Sequence, residues 1–177
     1  MTAPGREVAK VLLVDDRRDN LMALEAILQG LAIETVSAES GEAALKQLLL
    51  HDFAAILLDA QMPEMDGFET ASHIKQRERT RHIPIIFLTA ADRDAHLALR
   101  GYAVGAVDYL TKPFDPWVLR AKVSVFVELW AKNRQLREQA AEVRRLRRLY
   151  QSVDQALTAL KLDDVEQARK VLERVRD

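Results

Sequence analysis

Asp15 and Asp16, Asp59, Thr89 and Lys112 lie at the ends of four separate strand-like runs, and these residue types together can handle a phosphoryl group. Two carboxylates sharing one site force one pKa upward unless a cation is present, so a cluster of three calls for a metal. Oxygen-only donors, with no Cys or His among them, favour Mg2+ over zinc, and Mg2+ keeps room in its octahedron for water and a substrate oxygen. The ligand that completes such a site most simply is a phosphoryl group on one of the aspartates. A carboxylate is an accepted covalent acceptor, while Mg2+ and Lys112 would neutralise the charge on the transferring oxygens. Thr89 offers a hydroxyl donor. Asp59 is the best-placed acceptor because its run is central and its neighbour Ala60 is small, which leaves Asp15 and Asp16 as metal-holders.

These residues can meet only if the chain brings strand ends to one edge. The run Ala54 to Leu58 is continuously apolar, as expected of a strand buried on both faces of a parallel sheet. Val11–Val14, Ile33–Ser37, Ile83–Leu88 and Ala106–Leu110 read as further strands, with Pro84 able to begin its own. Between them lie helical patterns: about Asn20 to Leu31 with Asp19 as cap, Ser40 to His51, Gly67 to Arg77, and Asp92 to Gly101. Asp115-Pro116 is a cap followed by proline at the first helical position. Alternating strand and helix implies right-handed crossovers and a parallel sheet covered by helices, with all strands ending at one edge. Such edges are where α/β sheets bind ligands.

The 177 residues exceed one ordinary domain. Lys+Arg 26 against Asp+Glu 27 leaves a formal charge of -1, so no global charge draws the chain to nucleic acid or an anionic membrane. With no cysteine, disulfides, thiolate metal sites and cysteine nucleophiles are excluded. There is no apolar stretch of membrane-span length and no signal-peptide core, and a soluble, cytoplasmic protein is expected. His51, His73, His82 and His96 have no partner at metal-binding spacing and are read as structural.

The four pieces Leu13-Val14-Asp15-Asp16, Leu58-Asp59 with Met62-Pro63-Glu64-Met65-Asp66-Gly67, Leu88-Thr89-Ala90, and Tyr109-Leu110-Thr111-Lys112-Pro113-Phe114 together resemble the response-regulator receiver domain of two-component signalling. The resemblance covers roughly residues 8 to 127. It implies a flavodoxin-like, doubly wound five-stranded sheet and Asp59 as phosphoacceptor. Asp16, Asp59 and the backbone carbonyl of Gln61 would contact Mg2+, with Asp15 helping through water. Thr89 would move toward the phosphoryl group while Tyr109 turns inward. Lys112 would bind a phosphoryl oxygen, and its bond to Pro113 is expected to be cis. A histidine kinase or phosphotransfer protein is implied as donor, with only self-phosphorylation and autodephosphorylation as chemistry. Gln61 and Ala91 stand at positions that tune phosphoryl lifetime in the family.

Every glycine and proline lies at or before Pro116, and the sequence from Trp117 onward is uninterrupted helix former. Leu119, Val123, Phe126 and Trp130 should close the receiver. Leu129, Leu136, Val143, Tyr150 and Leu157 then recur every seven residues, joined at the alternate heptad position by Leu146, Val153 and Leu160, where Lys132 and Gln139 stand earlier. The expected organisation is a disordered tail over 1–8, the receiver over 9–127, an extended coiled-coil helix over 128–161 and a short helix over 162–177. Asp164 and Gln167 offer that last helix a capping box, and Val165, Ala168, Leu172 and Val175 share one face. A parallel homodimer through the helix is the first expectation, against a helix folded back on its receiver or paired with the last segment. The expected output is contact with an unknown downstream protein. The alternatives are DNA binding by the basic helix 132–148, against which the near-neutral charge argues, and a phosphatase-type enzyme using Asp59, for which no cap-forming insertion exists.

Overall fold

The computed structural model describes residues 8–90, 108–161 and 165–176. Most of the 1–8 tail, the helix expected from Asp92 to Gly101 with Ala91 and His96, the start of the last strand, Asp164, and the side chains of Gln167, Ala168, Leu172 and Val175 lie outside the described residues. The elements in order are β1 (Ala9–Val14), α1 (Arg18–Leu28), β2 (Ile33–Ala38), α2 (Gly41–Leu50), β3 (Ala55–Asp59), α3 (Gly67–Gln76), β4 (Ile85–Ala90), β5 (Asp108–Lys112), α4 (Pro116–Lys161) and α5 (Val165–Arg176). The chain divides into two compact units, Met1–Ala131 and Lys132–Asp177.

In the first unit the five strands form one parallel sheet in the order β2-β1-β3-β4-β5. The chain winds outward from β1 in one direction to β2 and in the other through β3, which places the reversal between β1 and β3. The central strands β1, β3 and β4 are largely apolar on both faces because both are covered, while the edge strands β2 and β5 are more polar and partly exposed. Leu12, Val14, Ile56, Leu58, Ile85 and Phe87 pack with Leu48, Phe68 and Ile74 of α2 and α3. Their neighbours Val11, Leu13, Leu57, Ile86 and Leu88 pack with Leu21, Leu24 and Leu28 of α1 and Leu119 and Val123 of α4. The period-2 alternation of a strand thus divides a continuous apolar run between two cores.

Local signals set most of the helix ends. Ser40 accepts from the Ala43 N–H to start α2, and Asp66 accepts from the Glu69 N–H to start α3. Asp115 accepts from the Trp117 N–H at the first turn of α4. The cap expected for α1 is different: Arg17 is the N-cap, without a side-chain bond, and Asp19 lies inside the first turn. Asp15 takes the Arg17 N–H at 2.9 Å, so the carboxylate of the preceding loop does the anchoring there. At the other end, Gly30 takes φ +87°, and the Arg120 guanidinium donates to the carbonyls of Ile27 and Gln29 at 2.6 Å each. These are carbonyls that a finishing helix leaves without partners.

In the second unit, α4 and α5 pair. Ala156 and Ala159 are buried, with Val171 of α5 packed against them. Leu149 and Ser152 on the same side of α4 are half-buried. Of the two alternatives set against a parallel homodimer, pairing with the last segment is present in the structure, and it uses a face of α4 other than the apolar heptad stripe. No helix among the described residues is long and apolar enough to cross a membrane.

Candidate phosphoacceptor site

Asp15 follows β1 directly and Asp59 ends β3, so the two strands flanking the sheet's reversal deliver both carboxylates to the same edge. Thr89 lies near the end of β4 and Lys112 ends β5, each one strand further out. Asp15, Asp16 and Asp59 each place a carboxylate oxygen within 4.8 Å of the others. The Lys112 Nζ spans the cluster, donating to Asp59 Oδ1 at 2.8 Å and Asp15 Oδ2 at 3.0 Å. Asp15 is fully buried, Asp59 and Thr89 are nearly so, and Asp16 is exposed.

The electrostatics follow from that crowding. Burial pushes the Asp59 carboxyl above its ordinary value, and the nearby Asp15 adds to the rise. The hydrogen bond and charge of Lys112 pull it back, as does a bond from the Gln61 N–H, without cancelling the effect. Burial alone would lower Lys112, but its hydrogen bonds to Asp59 and Asp15 and their charges outweigh that, and the ammonium is held above its usual range. One lysine facing three carboxylates leaves the site short of positive charge. The donor set, all oxygen and within reach of one ion, fits a hard divalent cation.

The loop after β3 is shaped by contacts that leave no spare volume. Gly67 opens α3 against the β3 terminus, where a Cβ would come within 2.2 Å of the Asp59 carbonyl oxygen and 2.9 Å of the Ala60 Cα. Glu64 takes a positive φ of 65°, and the Gly67 N–H closes the loop onto the Ala60 carbonyl at 3.1 Å. The Lys112–Pro113 peptide bond is cis. Tyr109 on β5 is 40% exposed, so its ring is not enclosed by the core.

The cluster contains one residue that sequence reasoning missed. Asn20, in the first turn of α1, donates from Nδ2 to both oxygens of Asp15 at 2.9 Å each. Asp15 is thereby fixed from three directions, by Asn20, the Arg17 N–H and Lys112. An asparagine in a helix's first turn carries no distinguishing signal in sequence. Only the path of the chain from β1 into α1 makes it a neighbour.

A doubly wound sheet with an acidic cluster and a bridging lysine at its switch point defines the class of receiver proteins. Residues 11–124 match the family model of the response regulator receiver domain, and the chain belongs to that family. It is 37% identical over 138 residues to the response regulator PleD of Caulobacter vibrioides, covering 78% of this chain and 30% of that one. It is 34% identical over 118 residues to the alkaline phosphatase synthesis transcriptional regulatory protein PhoP of Bacillus subtilis, covering 67% of this chain and 48% of that protein. The chain thus spans less than half the length of these relatives. Among solved structures, the Vibrio cholerae chemotaxis protein CheY4 superposes with TM-score 0.63 at 31% identity, over 68% of this chain and 99% of that one. A putative response regulator from Chloroflexus aurantiacus gives 0.64 at 34%, over 69% and 99%.

Proposed function

We propose that this chain is a phosphorylation-controlled switch in which Asp59 accepts a phosphoryl group from a phosphohistidine on a histidine kinase or phosphotransfer protein. The observation that carries the reading is Lys112, whose ammonium bridges Asp59 and Asp15 beside a third carboxylate. Asp59 is the acceptor because it ends the central strand, where Asp16 and Asp15 can share an ion with it and Lys112 reaches both Asp59 and Asp15. As an Asp59 oxygen forms its bond to phosphorus, the P–N bond of the donor breaks. Its electron pair goes to the imidazole nitrogen, which takes up a proton from solvent.

Asp15, Asp16, Asp59 and the Gln61 carbonyl would hold Mg2+, which when bound supplies charge neutralisation at the phosphoryl oxygens. Lys112 exchanges its Asp59 bond for a phosphoryl oxygen and keeps Asp15. Thr89 donates its hydroxyl to a second oxygen, and Tyr109 turns inward as Thr89 moves. Charge-assisted hydrogen bonds contribute about 1.5–3 kcal/mol each, and about 5.5 kcal/mol swings a two-state population from 1:99 to 99:1. Two such bonds with the ion are of the size required. The output is protein contact, through the face beside Tyr109 and through α4, where a homodimer is the reading. No chemistry on an external substrate is assigned.

The test is incubation with acetyl phosphate or phosphoramidate and Mg2+, followed by intact-mass measurement. One phosphoryl group per chain, lost in Asp59→Asn and without Mg2+, is the expected result. Unchanged labelling of Asp59→Asn would remove Asp59 from the acceptor role.

A further inference from the structure

We infer that the second unit is one half of an antiparallel four-helix bundle, in which a second copy of this chain docks on the α4 seam with its own α4–α5 hairpin. This rests on the homodimer reading above and assigns its geometry. Val143, Leu146, Tyr150, Val153, Leu157 and Leu160 are all 45–76% exposed, although they form an unbroken apolar stripe at heptad positions. The other apolar side of α4 is already used, because Ala156 and Ala159 are covered by α5. A helix covered on one flank and bare on the next lacks one neighbour on the bare side.

The stripe complements its own reverse. Turned end for end, Val143 meets Leu160 of the second copy, Leu146 meets Leu157, and Tyr150 meets Val153, so each layer pairs one residue of each heptad class. On one flank of this register Arg147 of each chain falls beside Asp154 of the other, and both are exposed. On the opposite flank Leu149 falls beside Ala156, the side on which α5 already packs. The two copies of α5 therefore lie on the same side of the assembly, next to each other, and close it to four helices.

A parallel register is weaker by the same criteria. It would align Glu142 with Arg147, but Glu142 already has Arg145 at 3.9 Å within its own chain. It would also set Lys132 against Lys132 and Gln139 against Gln139 in the seam. In the antiparallel register both lie beyond the overlap. A parallel pair would further put the two α5 helices on opposite sides, where they cannot meet.

The chain has no cysteine, so single introduced thiols report geometry cleanly. In the full chain, Val143→Cys and Leu160→Cys are prepared separately, oxidised alone and as a mixture, and weighed by light scattering before oxidation. Equivalent residues at the two seam ends are about 25 Å apart in an antiparallel pair, from 1.5 Å of rise per residue. Expected is a two-chain mass, a covalent dimer in the mixture, and little in either variant alone. Self-crosslinking of each single variant would overturn the antiparallel arrangement and leave the homodimer standing. A one-chain mass at all concentrations, with no crosslinks, would overturn both. As a second readout, Arg147→Glu and Asp154→Arg should each weaken association about tenfold, and together restore it.

Discussion

The two units solve the same problem, where to put apolar side chains, with opposite results. In the first, Leu12, Leu57 and Ile86 have no exposed surface, because the central strands that carry them are covered on both faces. In the second, Leu146, Val153 and Leu160 remain about half exposed on a helix with one covered flank. The central strands of the first unit are covered within the chain, and at their edge three carboxylates within reach of one ion meet a single lysine. The second lacks apolar surface to pack on. A buried core holds a charged site at its edge, while the exposed stripe of the second unit is the surface on which the homodimer is proposed.

The contrast between the units breaks most sharply at the proposed acceptor, Asp59. Asp59→Asn is expected to abolish phosphoryl incorporation altogether while preserving the fold by circular dichroism; residual labelling would point to a different acceptor. Next in size is Gly67→Ala, whose added methyl would meet backbone on the strand carrying Asp59. Relief requires moving that backbone, so loss of acceptor activity together with a lowered melting temperature is expected. Retained labelling at wild-type rate would show that the loop shifts without displacing Asp59.

Cavity formation separates the units directly. Leu57→Ala, at a fully buried position, should cost about 2–5 kcal/mol in urea unfolding. Leu146→Ala should cost less than about 1 kcal/mol in dilute protein, where its side chain is half in water. If the second cost grows with protein concentration, the seam is buried by self-association, and if it does not, the exposure seen in one chain persists in solution.

The smallest effect is electrostatic. Because burial raises the Asp59 pKa, the folded state binds more protons than the unfolded one between the usual carboxylate range and the raised value. Asp59 therefore contributes stability at acid pH that is lost as pH rises through its folded pKa. In metal-free buffer at neutral pH, Asp59→Asn should melt a few degrees higher than the parent, by the usual scaling of about 1 kcal/mol to several degrees. Added Mg2+ should narrow or reverse that difference, by raising the parent alone. A variant that melts lower in metal-free buffer would mean that the Lys112 pair outweighs the burial of the carboxylate.

Among the described residues the order of strands and helices was legible from local period and caps: the unbroken run to Leu58, Ser40 before α2, Asp115 before Pro116. The site residues were legible as candidates because strand ends of a parallel sheet share one edge. Helix α1 was misjudged at its cap: Arg17, not Asp19, is the N-cap, and Asp15 holds the Arg17 N–H from the preceding loop. Heptad spacing pointed to an apolar stripe on α4, which is exposed, but not to the cover that α5 gives the flank beside it.

By itself, the sequence determined which residues can form strands, helices and caps, and that carboxylates, threonine and lysine stand at strand ends. These are properties of neighbours along the chain, governed by periodicity and local hydrogen bonding. Only the tertiary structure decided that Lys112 lies between Asp15 and Asp59, that Asn20 clamps Asp15, that Arg120 closes α1, and that Ala156 and Ala159 are the buried side of α4. Those are contacts between residues distant in sequence or dependent on how the chain turns. Their partners are set by the packing of whole elements, which no single stretch encodes.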